Sequence, residues 1–507
     1  MRYHAMPGTG LALVFALAVA GPTASAQAVL YVDAGNPVPG SGTPSDPFNT
    51  IQAAINAAAI AGDTILVKPG TYGESIDFGT KNVTVRSDVD FSPATRDINM
   101  TGTVIDAAGI SNSVVVFNGQ LVLRGGPRNA VLEGFTLRNG SGNPYSATGI
   151  GPFGGGIFAF DSSPTVQDCI IENCSATSGG GIATVGDCAG MFNRLCIRNN
   201  SGGRGGGIHP AIRTQPDEAK DRSTFCNSLI VGNTCTIEGS AIYSNEAEPT
   251  LRFLTVSGNT GTHVVFVDNQ AQETVTIDHC IFWGNNDPLF RFHNTCAGVV
   301  AYCDVESLQS QCFTCATCIN ADPLFVGTED CDYHLTTQSP CVDVGAAGSP
   351  YADVCPGDID AGPRPVGLAL DLGADEVFCS TQALWSNYCV GHPGTLGIPT
   401  LTLGSRPALC QSTTVLASNS SGARTWCGLF LGLSPAQIPG RCGAMTCVTP
   451  FSFKVLPMGV GGLALAGSVP CDWTLCGVSI YLQLVQADPG ACGGFSHTPG
   501  LQMTLGY

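Results

Sequence analysis

Three identical Gly-Gly-Gly-Ile strings divide the middle of this chain at nearly equal intervals. They begin at Gly154, Gly179 and Gly205, which are 25 and 26 residues apart, and a degenerate copy begins at Gly239. Such a period indicates one supersecondary unit stacked on copies of itself, because a single unit cannot bury its own apolar face. A stack of similar coils offers a long surface that suits a long, repetitive partner.

A second series of residues follows the same period. Short apolar runs rich in β-branched residues end at Asn173, Asn199, Asn233, Asn259 and Asn285, with Asn200 as an alternative to Asn199. The runs predict strands, and the Gly, Asn and Ser residues between them predict turns. Three short strands fit each coil of about 26 residues. Because an Asn amide both donates and accepts hydrogen bonds, we expect stacked Asn residues to form a ladder.

The segment before the repeats predicts a helix at the open end of the stack. Asn49 or Thr50 is a suitable N-cap, the apolar residues at 51, 54, 55 and 58 share one helical face, and Gly62 is predicted to end the helix. An amphipathic helix in this place would cover the apolar surface of the first coil.

Together these features resemble the right-handed parallel β-helix of the pectin lyase-like superfamily, as found in secreted bacterial repeat proteins. The resemblance covers roughly residues 29–378 and is strongest at its two ends, residues 31–72 and the strings at 321–325, 339–345 and 358–376. It implies an all-β fold with an N-terminal capping helix, and it implies that the last three strings close the far end of the stack.

The chain is predicted to be secreted or to lie at the cell surface. Residues 1–26 read as a signal peptide, with Arg2 and His4 before an apolar stretch and a cleavage site at Ala24-Ser25-Ala26. No later segment is long and apolar enough to predict a transmembrane helix. The 24 Cys then predict disulfides. Adjacent Cys suggest candidate pairs, although the sequence leaves connectivity open: Cys188/Cys196, Cys226/Cys235, Cys296/Cys303, Cys331/Cys341, Cys442/Cys447 and Cys471/Cys476.

The repeats stop after Glu376, which divides the mature chain into residues 27–378 and 379–507. The second part contains alternating apolar segments broken by Gly and Pro, which predict a small β-sandwich-like domain. Sixteen Cys fall at or before Cys379 and eight beyond it. Counted with Cys379 in the first group, both numbers are even, as expected for two separately cross-linked domains.

The charge balance restricts the partners. A formal net charge of −18 with only 12% charged residues excludes a nucleic-acid partner, which would need a basic surface. A polyuronate would need Ca²⁺ or a local Arg patch to bridge the repulsion, whereas a neutral glycan would need no cofactor. We therefore expect a polysaccharide or another cell-surface polymer.

Few strings in the chain suggest chemistry. Val275-Thr276-Ile277-Asp278-His279 resembles the Val-Trp-Ile-Asp-His string of pectate lyases, which makes Asp278 and His279 catalytic candidates. However, Thr276 replaces the Trp, the accompanying Arg-x-Pro-x-x-Arg is absent, and a polar corner before the next strand is the alternative. The carboxylate pair that a glycoside hydrolase uses cannot be assigned.

Two further clusters have metal-like composition. Cys312, Cys315 and Cys318 could bind zinc with Cys303 or Cys331 as the fourth ligand, with disulfides as the alternative. Asp358, Asp360 and Asp371 could bind Ca²⁺ through carboxylate oxygens, with a structural role in the closing strings as the alternative.

The repeat period slips at two places. The step from Gly205 to Gly239 is 34 residues, which implies an insertion of about eight residues, and residues 141–153 form a second candidate insertion. Insertions in repeat folds become loops on one face and often form the wall of a binding site. The predicted ligand contacts are therefore Tyr145, His209, Arg213, Asp217 and Glu218.

Two functional hypotheses follow. The first is a non-catalytic cell-surface or extracellular protein that binds polysaccharide along the stacked coils. The second is a polysaccharide lyase or glycoside hydrolase with an unrecognised active site, because a shared fold alone does not specify chemistry.

Overall fold

The computed structural model describes residues 27–59, 61–89, 102–119, 129–145, 151–212, 220–268, 274–286, 289–293, 298–306, 315–328, 331–346, 355–366, 369–377, 381–409, 411–470 and 475–506. The predicted signal peptide lies outside these residues. None of the helices within them has the length and apolar character needed to cross a membrane.

Strands of successive coils pair in parallel and build three sheets, which confirms the predicted all-β parallel β-helix. The first sheet comprises β1 (Val29–Val32), β2 (Ala61–Val67), β3 (Gly70–Tyr72), β5 (Asn82–Ser87), β6 (Thr103–Asp106), β8 (Val131–Glu133), β9 (Thr136–Arg138), β11 (Thr165–Glu172), β14 (Met191–Arg198), β17 (Thr224–Val231), β20 (Thr250–Ser257), β22 (Val275–Asp278), β23 (Ile281–Trp283), β25 (Gly298–Ala301) and β26 (Asp304–Val305). The second comprises β4 (Ile76–Asp77), β7 (Val115–Asn118), β10 (Ile157–Phe160), β13 (Ile182–Val185), β16 (Ile208–Ala211), β19 (Ile242–Asn245), β21 (Val265–Asp268) and β24 (Phe290–His293). The third comprises β12 (Ser175–Ser178), β15 (Ser201–Arg204) and β18 (Thr234–Glu238). Inward-facing Ile, Val, Leu and Phe residues of the coils fill one continuous core.

The three Gly-Gly-Gly-Ile strings form the corners before β10, β13 and β16 of the second sheet. Their first glycines have φ values of 57° at Gly154, 68° at Gly179 and 63° at Gly205, a region that side chains other than Gly disfavour. The second glycines are required by close approach between coils. A Cβ atom on Gly180 would lie 2.5 Å from the carbonyl oxygen of Gly206 in the next coil.

The Asn ladder exists from Asn200 onwards, but its register excludes Asn199 and Asn173, and Cys174 occupies the ladder position of that earlier coil. Each Asn Oδ1 accepts from the backbone N–H of the ladder residue one coil earlier, at 2.9 Å from Asn200 to Asn233, 2.9 Å from Asn233 to Asn259 and 3.1 Å from Asn259 to Asn285. Asn199 lies at the preceding corner with a φ of 54°, where later coils place Gly. The two adjacent Asn residues therefore serve different purposes, a buried ladder and a left-handed turn.

The capping helix α1 spans Ile51–Ala57, and Thr50 is its N-cap, with Oγ1 accepting from the Ala53 N–H at 3.2 Å. Glu74 also accepts from the N–H groups of Ile51 and Gln52, at 2.8 and 3.0 Å. The expected stop at Gly62 is wrong, because the helix ends at Ala57 and Gly62 lies within β2.

The strings expected to close the far end of the stack lie instead along its side. We call residues 319–377 the closing segment. It contacts the outer face of the first sheet over several coils: the Cys196–Cys331 disulfide joins it to β14, Ala374 N–H donates to Thr255 Oγ1 on β20 at 3.0 Å, and Gly373 N–H donates to the His279 carbonyl at 2.8 Å. Apolar outward residues such as Ile170 and Leu229 are buried beneath it.

After the parallel strands, two antiparallel sheets face each other, as predicted for a sandwich. One comprises β27 (Leu384–Tyr388), β30 (Thr425–Pro439), β31 (Met445–Met458), β33 (Ser479–Ala487), β34 (Phe495–His497) and β35 (Gly500–Thr504). The other comprises β28 (Leu401–Leu403), β29 (Ser412–Ala417) and β32 (Leu463–Ser468). Leu401, Leu429 and Leu484 belong to the core between them.

Several of the disulfides suggested by sequence proximity are wrong. Cys196 bonds to Cys331, while Cys389 bonds to Cys447 and Cys442 bonds to Cys492, so Cys188/Cys196, Cys331/Cys341 and Cys442/Cys447 do not form. Neighbours in sequence fail to pair because outward-facing cysteines of the stack meet the closing segment, which is remote in sequence. These described bridges nevertheless stay within the two predicted parts of the chain.

Replacing a ladder residue should destabilise the stack far more than replacing its neighbour. Asn233→Ala removes the acceptor of Asn200 N–H and leaves the Ile197 carbonyl, 2.9 Å from Asn233 Nδ2, without that donor. We expect a loss of about 3 kcal/mol in the free energy of unfolding, measured by denaturant titration. The matched control is Asn199→Gly, which keeps the turn and should have little effect. Equal losses in the two variants would contradict the assigned register.

Candidate functional site

The two long coils bring Tyr145 and His209 into one aromatic cluster on the outer face of the second sheet. Phe153 lies between them, and its ring centre is 6.2 Å from that of Tyr145 and 6.1 Å from that of His209. The ring centres of Phe160 and Tyr145 are 4.7 Å apart. Burial lowers the pKa of His209 to about 3, and neither ring nitrogen has a hydrogen-bond partner among the described residues. The imidazole is therefore neutral and packed among rings. Arg213, Asp217 and Glu218 lie outside the described residues.

Beyond His209, a row of rings and arginines continues the aromatic cluster along the axis of the β-helix. Arg204 lies 5.8 Å from the Tyr243 ring centre, Tyr243 stacks on Phe266 at 5.3 Å, and Arg291 lies 5.6 Å beyond Phe266. Each ring face is thus turned towards the next coil or an Arg rather than towards solvent. This row stabilises the stack through cation–π and ring contacts and presents little ring surface to a ligand.

Two carboxylate–histidine pairs flank this row. His263 Nδ1 lies 2.6 Å from Glu238 Oε2, and His293 Nδ1 lies 2.9 Å from Asp268 Oδ1. The Tyr243 hydroxyl donates to Asp268 Oδ2 at 3.2 Å, and burial together with the Asp268 charge raises the pKa of Tyr243. Sequence inspection missed these pairs, although Glu238/His263 and Asp268/His293 both repeat at a spacing of 25 residues.

Asp278 and His279 lie on the covered face of the first sheet. Arg252 donates to both Asp278 oxygens, at 2.6 and 2.8 Å. Burial alone would raise the pKa of Asp278, but hydrogen bonds from His279 and Arg252 lower it. His279 is fully buried at a strand bend, and its Nε2 accepts from the Ala346 N–H of the closing segment at 3.0 Å. The pair is buried and positioned to hold the closing segment.

The acidic residues of the closing segment mainly accept backbone hydrogen bonds. Asp358 Oδ1 accepts from Gly362 N–H at 2.6 Å, and the two Asp371 oxygens accept from Asp343 and Val377, both at 2.7 Å. Burial and the neighbouring Glu376 raise the pKa of Asp371 to about 8. These contacts fold the segment onto itself.

Asp360 belongs to a different group, with His334 and Asp375, whose ligand atoms lie within 4.8 Å of one another. His334 Nε2 lies 2.8 Å from Asp360, and its Nδ1 lies 2.7 Å from Asp332. The Asp360 hydrogen bond raises the pKa of His334 to about 10. His334 thus pairs with two carboxylates, and the spacing of the three ligand atoms is also short enough to hold a metal ion.

The alternative of a zinc site at Cys312, Cys315 and Cys318 is wrong. Cys315 and Cys318 form a disulfide with each other, and Cys331 is bonded to Cys196. Three of the proposed thiolates are therefore oxidised and cannot coordinate a metal. Cys312 lies outside the described residues.

An open apolar surface lies in the second part of the chain, on the hairpin of β30 and β31. We call Trp426, Phe430, Phe451 and Phe453 the aromatic face. Trp426, Phe451 and Phe453 are 62%, 65% and 63% exposed. Phe430 and Phe453 are cross-strand partners whose ring centres are 5.8 Å apart. Val455, which is paired with Gly428, lies between this ring pair and Trp426. A notch of about 420 Å³ borders Trp426 on the side of Arg424 and Gly459.

The free edge of this sheet is protected, although its face is open. β31 is the last strand of its sheet, and it contains Pro450, Lys454 and Pro457. Prolines lack a backbone donor and a charged Lys resists burial, so both discourage pairing with another strand. Sequence inspection identified these strands but missed their exposed face, for which the alternation of Trp426, Phe430, Phe451 and Phe453 with smaller residues was the available signal.

Neither a family model nor a curated protein matches this chain. Among solved structures, pectin methylesterase in complex with hexasaccharide VII is similar over 56% of this chain and 92% of that chain, with 11% identity and a TM-score of 0.32. A mutant of pectin methylesterase in complex with hexasaccharide IV covers the same shares, with 12% identity and a TM-score of 0.28.

Stability should fall as the pH rises from 6 to 8.5. The folded pKa of Asp371, about 8, exceeds its ordinary value of 3.8, and that of His334, about 10, exceeds 6.5. For both groups the folded state binds a proton more tightly than the unfolded state does. Their stabilising contributions are therefore complete below the ordinary pKa and are lost as the pH rises towards the folded value. We expect a Tm several degrees lower at pH 8.5 by calorimetry.

Asp371→Asn provides the control for this pH dependence, because the amide resembles the protonated acid and does not titrate. The variant should show a smaller Tm difference between pH 6 and pH 8.5 than the parent protein. An unchanged difference would exclude Asp371 as a main contributor.

Proposed function

We propose that this protein is a non-catalytic extracellular protein that binds a neutral polysaccharide. The aromatic face carries this proposal. Flat, exposed rings of Trp and Phe match the C–H faces of sugar rings, and their amphipathic or apolar surface is little used in the fold itself. The net charge of −18 opposes anionic polymers and leaves neutral ones unaffected.

The stack would contribute a second contact along its third sheet. Ser175, Ser201 and Thr234 are exposed cross-strand partners in successive coils, and Thr260 continues the row. Neighbouring strands lie about 4.8 Å apart, so the row repeats hydroxyl groups at a short, regular interval. Such groups both donate to and accept from sugar hydroxyls. This row supports the proposed binding along the stacked coils.

We propose a non-catalytic role because carboxylates of the described coils form ion pairs with arginines. Asp168 pairs with Arg194 at 2.7 Å, and Glu172 pairs with Arg198 at 2.8 Å, each across one coil. A glycoside hydrolase needs one carboxyl group to donate a proton and another to attack or activate water. Carboxylates held in ion pairs between coils are poorly placed for either role.

Removing the aromatic face should abolish most of the binding. The test uses the mature chain from Gln27 and measures its depletion from solution by insoluble neutral polysaccharides, together with affinity electrophoresis in soluble neutral and anionic ones. Trp426→Ala with Phe453→Ala should weaken binding to the preferred neutral polymer by roughly tenfold or more, equivalent to about 1.4 kcal/mol. The matched control is Val299→Ala with Val326→Ala, because both valines are exposed apolar residues outside this face.

Two outcomes would contradict the proposal. Undiminished binding by the Trp426 and Phe453 variant would exclude the aromatic face. Release of reducing sugars or unsaturated ends by the parent protein would instead favour the glycoside hydrolase or polysaccharide lyase.

A variant with Ser201→Glu and Thr234→Glu tests the contribution of the third sheet in the same binding assay. Thr71→Glu, outside this sheet, is its control.

A further inference from the structure

A second cysteine of the closing segment meets the stack in addition to the one already bonded. Cys355 is buried in a cluster with Cys226, Phe253 and Leu370. Cys226 lies on β17, on the outward side of the first sheet, and its cross-strand partners are Asn193 and Arg252. Both cysteines carry free thiols in the structure and are almost completely shielded, at 0% and 2% exposure.

Two arginines of the stack hold this part of the closing segment over Cys226, one at Pro356 and one at Cys355. The following residue, Pro356, accepts a hydrogen bond from Arg194 Nη1 at 3.4 Å. The Cys226 and Cys355 side chains pack together in one cluster, and interaction with Cys226, followed by the charge of Arg252, lowers the pKa of Cys355. Because Arg194 and Arg252 belong to the strands on either side of β17, Cys355 is centred on the strand that carries Cys226.

We infer that Cys226 and Cys355 form a disulfide in the oxidising environment that the signal peptide predicts. The bridge would join the closing segment to β17, next to the Cys196–Cys331 bridge on β14. The alternative suggested by sequence, Cys226 with Cys235, joins a residue under the closing segment to one on β18 of the third sheet. The structure brings Cys226 to Cys355 instead.

The bond would form by thiol–disulfide exchange with a protein or low-molecular-weight disulfide as the oxidant. The Cys355 thiolate attacks the oxidant, which forms a mixed disulfide and releases one thiol. Cys226 then attacks the Cys355 sulfur and releases the second thiol, so two thiols are oxidised and one disulfide is reduced. Both sulfurs are shielded once the closing segment has docked, so the exchange with the oxidant takes place before docking.

Two adjacent bridges would hold the closing segment against two neighbouring strands. A single bridge at Cys331 leaves residues 355–377 attached only by non-covalent contacts. With the second bridge, opening of this segment would require reduction as well as unfolding. Because both sulfurs are buried after docking, the bond should resist mild reductants in the native protein.

Differential alkylation tests the bond directly. The full mature chain, produced through an oxidising secretory route, is denatured without reductant and treated with a light alkylating reagent. It is then reduced, treated with the heavy reagent and digested with chymotrypsin, which can cut at Leu229 between Cys226 and Cys235. Cys226 and Cys355 should carry the heavy label, as should Cys196 and Cys331. The buried thiols of Cys169 and Cys188 should carry the light one.

A parallel digest without reduction should contain the linked Cys226–Cys355 peptide. Light labelling of both residues, or a linked peptide that joins Cys226 to another cysteine, would overturn the inference. As a second measurement, Cys226→Ser with Cys355→Ser should lower the Tm by about 5 °C or more, since the bridge would close a long loop. A variant that does not fold leaves the labelling result decisive.

Discussion

Hydrogen bonding between successive coils is the constraint on which the rest of the molecule depends. A single coil leaves both edges of its strands unpaired, and only a neighbour in register satisfies them. Inside the stack, the side chains of Asn200, Asn233 and Asn259 add hydrogen bonds to the Asn residue of the next coil, which likewise need coils in register. On the outer surface, the Asp168–Arg194 ion pair also joins two successive coils. A slip of one residue would turn apolar side chains outward and break all of these contacts together.

Stacking then determines which surfaces remain available to a partner. The closing segment covers much of the first sheet, and the second sheet carries rings that pack on one another or on arginines. The third sheet keeps an open row of hydroxyl groups, and the hairpin of β30 and β31 keeps an open row of rings. Polymer recognition is therefore proposed for these last two surfaces, where binding would not compete with folding.

Local signals predicted the coil well, and signals that depend on distant segments failed. The Gly corner, the Thr50 cap and the Asn ladder each involve residues within one coil or its neighbour, so the repeat itself reveals them. The position of the closing segment depends on contacts such as Ala374 with Thr255, 119 residues apart, which no local pattern encodes. The same limit explains the wrong cysteine pairs and the missed aromatic face. Tyr145 and His209 share one aromatic cluster because both insertions interrupt the same periodic frame, and ligand contact by these residues stays a prediction.

By itself, the sequence determined that the chain forms a periodic β structure, because Gly corners and Asn turns recur at an interval that only stacked coils satisfy. Tertiary structure alone decided that Asn200 rather than Asn199 enters the ladder, since hydrogen bonding across coils distinguishes two neighbours that look equivalent. It also decided that Asp278 and His279 hold the closing segment and that Trp426 and Phe453 face solvent. Burial depends on which remote segment packs over a strand, and that choice is made only when the chain has folded.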